Sequence, residues 1–228
     1  MSKKLSLILS LVLVLALAVS ASAGETVIAS FEKSEADAGL KAGITDAPAN
    51  ITVKILWPMQ QGKDIASYDP NLGKGIIVPK ATNGDSVLGV FWTNETDGRV
   101  DVSYQWPTGK TFDLVKNGKI LLDVYIAGPD GVPGTIELWD ADIAWLLGHH
   151  DLIEPNKWFT VTFDLAELQD TGKRKADQSQ IATIYFKDVL SKGGKVFFDN
   201  LRLESAPPAA PAEAPAATPA APESEKKP

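Results

Sequence analysis

The chain has 228 residues, a net charge of −7, no cysteine and two histidines. This length allows one domain of ordinary size with short appendages. The absence of cysteine excludes disulfides, thiolate zinc sites and cysteine nucleophiles. The acidic balance argues against nucleic acid and anionic membranes as partners, because both require a basic protein surface. Six tryptophans and four tyrosines remain to be explained.

The first 23 residues have the pattern of a secretory signal peptide. Lysines precede an apolar stretch from Leu5 to Val19, and small residues around Ala23 provide a cleavage site before Gly24. Cleavage is favoured over a retained anchor because the apolar stretch has about 15 residues, whereas a spanning helix requires roughly 20. We therefore expect a secreted protein, extracellular or periplasmic, with no membrane span after cleavage.

Residues 205–228 differ in composition from the rest of the chain. Nine alanines and seven prolines fill 16 of these 24 positions. No large apolar side chain is available to offset the entropy that ordering would cost. We expect a disordered Pro/Ala-rich tail biased toward extended polyproline geometry. Its role is open between a spacer that reaches a cell-envelope or protein partner and a solvated end.

Residues 24–204 contain ten segments of strand length, apolar or alternating, with turn residues between them. This pattern predicts one all-β domain, a two-sheet antiparallel β-sandwich, because the long helices of an α/β fold are missing. The stretch Asp140–Asp151 is predicted to be a loop. The predicted strands are Thr26–Phe31, Ile51–Trp57, Gly75–Pro79, Ser86–Thr93, Val100–Trp106, Lys119–Ile126, Thr135–Trp139, Trp158–Leu165, Ile181–Lys187 and Lys195–Leu203.

Catalytic patterns are weakly represented. Glu137, Asp140 and Asp142 are closely spaced carboxylates, and glycoside hydrolysis requires a pair of carboxylates. Because side chains alternate along a strand, Glu137 shares a face with Trp139, whereas the two aspartates point away or enter a loop. Nucleophile elbows, phosphate loops and dinucleotide-binding glycines are absent from the sequence. We expect a protein that is not an enzyme, and keep an unrecognised polysaccharide hydrolase as an alternative.

Aromatic side chains beside carboxylates suggest a carbohydrate site. Sugar rings pack their C–H faces on aromatic rings, and their hydroxyls bond to polar groups. Strand alternation directs Tyr125 and Asp123 away from the inward apolar residues of their strand, and does the same for Trp139 and Glu137. Because consecutive strands are often neighbours, we expect these two pairs to form one carbohydrate-binding platform.

For the remaining aromatic residues, the sequence distinguishes core positions from exposed ones less clearly. Trp57, Tyr104 and Trp106 share a face with apolar neighbours on their strands, which predicts core positions. Trp92 lies in a run that is apolar on both faces, so its orientation is open. Trp145, in the predicted loop, either clamps a ligand or caps the core. Trp92 and Trp145 are kept as candidate carbohydrate-binding residues.

Three local patterns resemble the β-sandwich carbohydrate-binding modules that accompany cellulases and related polysaccharide hydrolases. They are the opening Ile28–Glu32, the central Asn156–Leu165 and the closing Val196–Leu203. Their order and spacing cover essentially all of residues 25–204. The resemblance implies a jelly-roll of the galactose-binding-like kind that binds glycan on the outer face of one curved sheet, without catalysis.

The resemblance also implies a cofactor. These modules often hold one structural calcium where the first and last strands meet. Carried over by position, Glu32 and Asp199 would be its acidic ligands, and calcium takes hard oxygen ligands of this kind. The alternative is that Asp199 and Asn200 mark a bulge or turn in the last strand.

Two classes of function follow. The first is a secreted, non-catalytic protein that binds a glycan or polysaccharide through an aromatic platform. The second is a structural extracellular or cell-envelope protein that self-associates or binds protein partners through open edge strands or a flat apolar face. The aromatic residues paired with carboxylates favour the first.

Overall fold

The structure is a computed structural model that describes residues 24–39, 41–46, 52–92, 101–105, 109–115, 117–128, 132–171, 174–187 and 194–205. The expected signal peptide, residues 1–23, lies outside these ranges, as does Trp106. Of the expected tail, only Ser205 is described, as the last residue of a strand. Among the described residues, no helix is both long and apolar enough to cross a membrane.

The described residues form two antiparallel sheets and very little helix, so the predicted all-β sandwich is confirmed. Sheet A has the strand order β3-β4-β12-β6-β9, with β1 also paired to β12, and sheet B has the order β10-β8-β7-β11-β5-β2. One short helix, α1, spans Lys33–Asp37. The strands are β1 Glu25–Ala29, β2 Lys41–Asp46, β3 Val53–Gln60, β4 Ser86–Trp92, β5 Asp101–Gln105, β6 Asn117–Ile126, β7 Val132–Asp140, β8 Trp145–Ile153, β9 Trp158–Asp164, β10 Gln169–Asp170, β11 Ile181–Lys187 and β12 Lys195–Ser205.

The predicted strand set differs from the observed one in four places. The segment Gly75–Pro79 forms only an isolated bridge at Ile77, consistent with a glycine at positive φ and a proline that cannot donate to a ladder. Strands β2, β8 and β10 were not predicted. The stretch Asp140–Asp151, expected to be a loop, instead contributes most of β8. Leucines point to both faces of β8, so it lacks the alternation that marks a half-buried strand.

The inward side chains of the two sheets form the main hydrophobic core. Alternation predicts this core well, since Ile120 and Leu122 on β6 and Ile136 and Leu138 on β7 are all buried in it. Tyr104 is also fully buried there, as expected. Trp57 packs against the core and donates its indole N–H to the carbonyl of Phe31.

Trp92 belongs to the main core and is only 3% exposed, so its candidate role in carbohydrate binding is wrong. It alternates with Val87 and Phe91 of β4 and therefore points inward. Gly194 leaves room for the indole, because a Cβ at that position would lie 1.7 Å from Trp92 Cζ2.

The outer face of sheet A is covered by the segment 61–85, which packs a second hydrophobic cluster on it. This cover explains why β4 is apolar on both faces. From the sheet side the buried residues are Met59, Val87, Phe91 and Phe197, and from the covering segment they are Ile65, Leu72, Val78 and Ala81. The consequence for function is that most of this face is closed.

Substitution of Phe197 tests this cover. Phe197 points outward from β12 and meets the ring of Phe91 at 5.6 Å. We expect Phe197→Ala to lower the free energy of unfolding by about 3–5 kcal/mol, as a core truncation does. Phe198→Ala, which truncates the adjacent inward side chain, is the matched control and should cost a similar amount. Urea denaturation measures both. A loss for Phe197→Ala within about 0.5 kcal/mol of zero, as at a surface site, would contradict the covered face.

Candidate functional site

The two predicted aromatic pairs lie on opposite sheets. Tyr125 and Asp123 are on β6 of sheet A, and Trp139 and Glu137 are on β7 of sheet B. Each pair points outward from its own sheet, as alternation predicts. The expectation that they form one platform is wrong, because the chain crosses from one sheet to the other between β6 and β7.

Tyr125 and Asp123 make their contacts within the fold. The ring of Tyr125 packs on Trp158 and Phe197, with centroids 5.6 and 6.1 Å away. Asp123 is buried and accepts hydrogen bonds from Thr160 Oγ1 at 2.7 Å and from an Arg202 guanidinium nitrogen at 3.1 Å. Thr82 of the covering segment also donates its hydroxyl to Asp123 at 2.7 Å. These contacts join β6 to β9, β12 and the covering segment, so both residues support the fold of sheet A.

An aromatic cluster lies on the outer face of sheet B. Trp139 and Trp145 pair across the β7–β8 hairpin, and their rings are stacked with centroids 5.0 Å apart and planes inclined by 14°. Tyr185, on the strand that flanks β7 on the other side, meets Trp139 at 5.3 Å and 52°. Trp145 therefore neither caps the core nor lies in a loop. We call Trp139, Trp145 and Tyr185 the aromatic cluster; all three rings are partly exposed.

An ion pair lies beside the aromatic cluster. Glu137 Oε1 accepts from Lys187 Nζ at 2.7 Å, and Glu137 Oε2 accepts from the indole N–H of Trp139 at 3.0 Å. The two charged side chains are 12% and 18% exposed, so the pair is largely shielded from water. Burial, and then the Glu137 carboxylate, raise the pKa of Tyr185, which keeps its hydroxyl neutral. The face thus offers apolar rings with a fixed donor and a fixed acceptor next to them.

Strand pairing places further side chains, most of them polar, on this face at both sides of the cluster. Residues in register across the sheet share the outer face, because alternate residues of paired strands point to the same side. The additional members of the face are Lys41 on β2, Ser103 and Gln105 on β5, Thr183 on β11, Thr135 on β7, and Leu147 and His149 on β8.

Tyr185 and Lys187 were missed as site residues, although the sequence carries a signal for both. They alternate with Ile184 and Phe186, which are buried in the main core. The same alternation that singles out Trp139 therefore directs Tyr185 and Lys187 outward.

The turn between β7 and β8 is fixed by a buried carboxylate. Asp140 Oδ1 accepts the backbone N–H groups of Asp142 and Ala144, both at 2.9 Å. Its Oδ2 accepts from Asp177 N at 2.8 Å and from Arg174 at 2.7 Å. Burial alone would raise the pKa of this carboxyl, but these hydrogen bonds and the ion pair together lower it. Asp140 thus stays ionised and enclosed, and it holds the hairpin that carries both tryptophans.

A small cleft adjoins the face at the open edge of the sandwich. It has a volume of about 250 Å³ and is lined by Leu147 and His149 of β8, Thr162 and Asp164 of β9, and Gln169 of β10. Pockets for ligands of drug size have volumes of about 300–1,000 Å³. The volume of the cleft lies below this range, and the aromatic cluster lies outside it, so we take the outer face of sheet B as the candidate site.

Comparison with known proteins gives structural neighbours only. The sequence matches no protein-family model and no curated protein. The family 11 carbohydrate-binding module of the cellulosomal cellulase Lic26A-Cel5E of Clostridium thermocellum is 19% identical, with a TM-score of 0.50 over 80% of this chain and 95% of that chain. The family 11 module from the same organism in complex with a β-1,3-1,4-mixed-linked tetrasaccharide is 18% identical, with a TM-score of 0.50 over 80% and 96%. A solution structure of CtCBM11 is 17% identical, with a TM-score of 0.51 over 82% and 99%.

This chain has the β-sandwich fold of family 11 carbohydrate-binding modules. The resemblance expected from its sequence is confirmed at the level of fold. The likeness extends over nearly the whole length of each module and over the part of this chain that forms the sandwich.

The two residues expected to bind calcium both accept backbone hydrogen bonds. Asp199 Oδ2 accepts the backbone N–H groups of Thr82 at 2.6 Å and Asn83 at 2.9 Å. Glu32 Oε1 accepts those of Asp85 and Ser86 at 2.7 and 2.8 Å. These bonds engage one oxygen of each carboxylate, Oδ2 of Asp199 and Oε1 of Glu32.

Two further observations bear on the calcium expectation. Within the described ranges, no group of three or more His, Cys, Asp or Glu side chains could hold a metal ion. Asn200 has a φ of 50°, and the β12–β6 register shifts between Asp199 and Arg202. The alternative expectation, a bulge in the last strand, is therefore confirmed, and the calcium stays a prediction.

Asp140→Asn tests how the hairpin is held. An amide nitrogen at Oδ2 would face the Asp177 N–H and Arg174, so we expect a loss of about 1–3 kcal/mol in the free energy of unfolding at pH 7. Because the folded state lowers the pKa of Asp140, its contribution is present above the unfolded value of about 3.9 and is lost as the pH falls through the lower folded value. Urea denaturation at pH 7 and below pH 3 should show the difference from wild type shrinking in acid.

Asp142→Asn is the matched control for this experiment. The Asp142 side chain is 83% exposed and lies 3.9 Å from Arg174. Its substitution should change stability little at either pH. Equal effects of the two substitutions would contradict a specific role for Asp140.

Proposed function

We propose that this protein binds a neutral polysaccharide on the outer face of sheet B and does not cleave it. The observation that carries the proposal is the aromatic cluster of Trp139, Trp145 and Tyr185 beside the Glu137–Lys187 ion pair. Carbohydrate sites combine aromatic surface with a few fixed polar groups in this way. A neutral ligand is favoured because the ion pair cancels its own charge and the whole chain is acidic, with a net charge of −7.

The stacking of the rings implies different roles for Trp139 and Trp145 in binding. Trp139 lies between Trp145 on one side and Tyr185 on the other, so its ring faces are already in contact with protein. Among the described rings, none contacts the face of Trp145 remote from Trp139, and we assign this face to the C–H face of a sugar. Trp139 acts as the support for that ring and as a donor to Glu137.

Glu137 supplies hydrogen-bond acceptors to sugar hydroxyls. Each of its carboxylate oxygens can accept a further hydrogen bond beside the one already made to Lys187 or Trp139. Both Glu137 oxygens accept from protein groups, and the Asp140 carboxylate is enclosed with a lowered pKa. Neither is suited to donate a proton to a leaving group, which supports binding without hydrolysis.

We also propose that the protein acts outside the cytoplasm, in the extracellular space or periplasm. The support is the signal-peptide pattern of residues 1–23. The Pro/Ala-rich composition of residues 205–228 supports a spacer that reaches a cell-envelope or protein partner.

Affinity electrophoresis in gels that contain polysaccharide tests the binding proposal. One structural neighbour is a complex with a β-1,3-1,4-mixed-linked tetrasaccharide, so the corresponding glucan is the first probe, followed by xylan and mannan. Trp145→Ala should raise the dissociation constant obtained from retardation about 30-fold or more. This corresponds to about 2 kcal/mol, the usual cost of removing a tryptophan hot spot. Trp139→Ala should do the same by removing the support of Trp145.

Trp158→Ala is the matched control for these variants. Trp158 is also partly exposed, but it lies on sheet A, where it donates to the carbonyl of Lys80 at 2.7 Å. Its substitution should leave retardation unchanged. No retardation of the wild-type protein by any of the three polysaccharides would overturn the proposal, and concentration-dependent self-association in size-exclusion chromatography would then favour the structural alternative.

A double-mutant cycle tests the ion pair. Glu137→Gln and Lys187→Met each break the same interaction, so each should weaken binding to the mixed-linked glucan about tenfold, or about 1.4 kcal/mol. The double variant should cost little more than either single one, because the two residues act as a unit. Isothermal titration calorimetry measures affinity, and urea denaturation verifies folding. Additive losses would mean that the two side chains contact the ligand independently.

A further inference from the structure

The turn between Trp139 and Trp145 contains an isoleucine, Ile143, in a backbone conformation that is unfavourable for this residue type. Ile143 has a φ of 69°, in the left-handed region. This region is unfavourable for a β-branched side chain, and glycine or asparagine is the usual occupant. The Ile143 side chain is 68% exposed, so burial in the core does not compensate for the strain.

The surrounding hydrogen bonds hold this conformation whichever side chain is present. Ile143 N donates to the carbonyl of Asp140 at 3.2 Å, and Ala141 N donates to the carbonyl of Gln180 at 3.0 Å. The Asp140 carboxylate accepts the N–H groups on both sides of Ile143, at Asp142 and Ala144. All these bonds involve the backbone of the turn or the side chain of Asp140. None of these bonds involves the side chain of Ile143.

The turn lies at the end of the aromatic cluster. Trp139 and Trp145 are the last outward-facing pair before the turn, and Ile143 is two residues from Trp145. Exposed single apolar residues are common on protein surfaces. An exposed apolar residue whose backbone is also strained is uncommon. Backbone strain of this kind tends to occur where a ligand is held.

We propose that Ile143 is a ligand-contacting residue, an aliphatic wall at the end of the aromatic cluster against which a second sugar of the chain packs its C–H face. This inference rests on the proposed function and deepens it. A site with a ring for one sugar and a wall for its neighbour recognises an extended glycan chain in preference to a monosaccharide.

The inference predicts opposite effects on stability and binding. Ile143→Asn places a residue that tolerates the left-handed conformation, so the urea midpoint should rise. The same variant should bind the soluble β-1,3-1,4-mixed-linked glucan about fivefold more weakly, equivalent to about 1 kcal/mol. Ile143→Gly should also bind more weakly, and its smaller gain in stability reflects the greater freedom of glycine in the unfolded chain.

Two comparisons make the experiment decisive. Val115→Ala truncates an aliphatic side chain that is 64% exposed in a different turn, and it should leave both midpoint and affinity unchanged. Trp145→Ala reports on the proposed function itself. Weaker binding with Trp145→Ala but unchanged binding with both Ile143 variants would overturn the role of Ile143 and leave the proposed function standing. A lowered midpoint for Ile143→Asn would assign the side chain to the fold and also overturn it. Absence of glucan binding in the wild type would overturn both.

Discussion

The carboxylate of Asp199 joins the last strand of sheet A to the segment that covers it. Asp199 is fully buried, and it accepts the backbone N–H groups of Thr82 and Asn83. Burial raises its pKa to about 6, although these hydrogen bonds oppose the rise. The segment anchored in this way completes the second hydrophobic cluster. That cluster closes most of the outer face of sheet A, whereas the aromatic cluster lies partly exposed on sheet B.

Alternation of side chains along single strands could be predicted from the sequence, and the positions of strands relative to each other could not. The rule directs Tyr125 and Trp139 outward correctly, because it depends only on local backbone geometry. It says nothing about which sheet a strand joins, so the crossing between β6 and β7 separated two pairs that were expected together. Alternation also gives no orientation where a second layer covers the outer face, because the strand is then apolar on both faces. For this reason the orientation of Trp92 was open.

Only part of the candidate site could be predicted from the sequence, because alternation identifies outward residues on single strands and does not show which strands pair. Trp139 and Glu137 stand out because their strand has a clear inward set, and Tyr185 and Lys187 follow from the same rule applied to β11. Trp145 was obscured because outward Leu147 and inward Leu146 make β8 apolar on both faces, which removes the signal of a strand. The stacking that joins these residues into one cluster depends on the pairing of three strands, and it appears only once the sheet is assembled.

The groups on the sheet B face are held by one another before any ligand arrives. Trp139 is fixed between two rings, Glu137 bonds to both Trp139 and Lys187, and Asp140 fixes the turn beside them. A rigid face of this kind loses little conformational entropy on binding. Its polar groups are already bonded, however, so a sugar hydroxyl must join existing hydrogen bonds and adds less net energy than contact with an aromatic ring. For the proposed function, affinity therefore depends mainly on aromatic contact, and the positions of the hydroxyls around Glu137 and Lys187 determine which glycans are accepted.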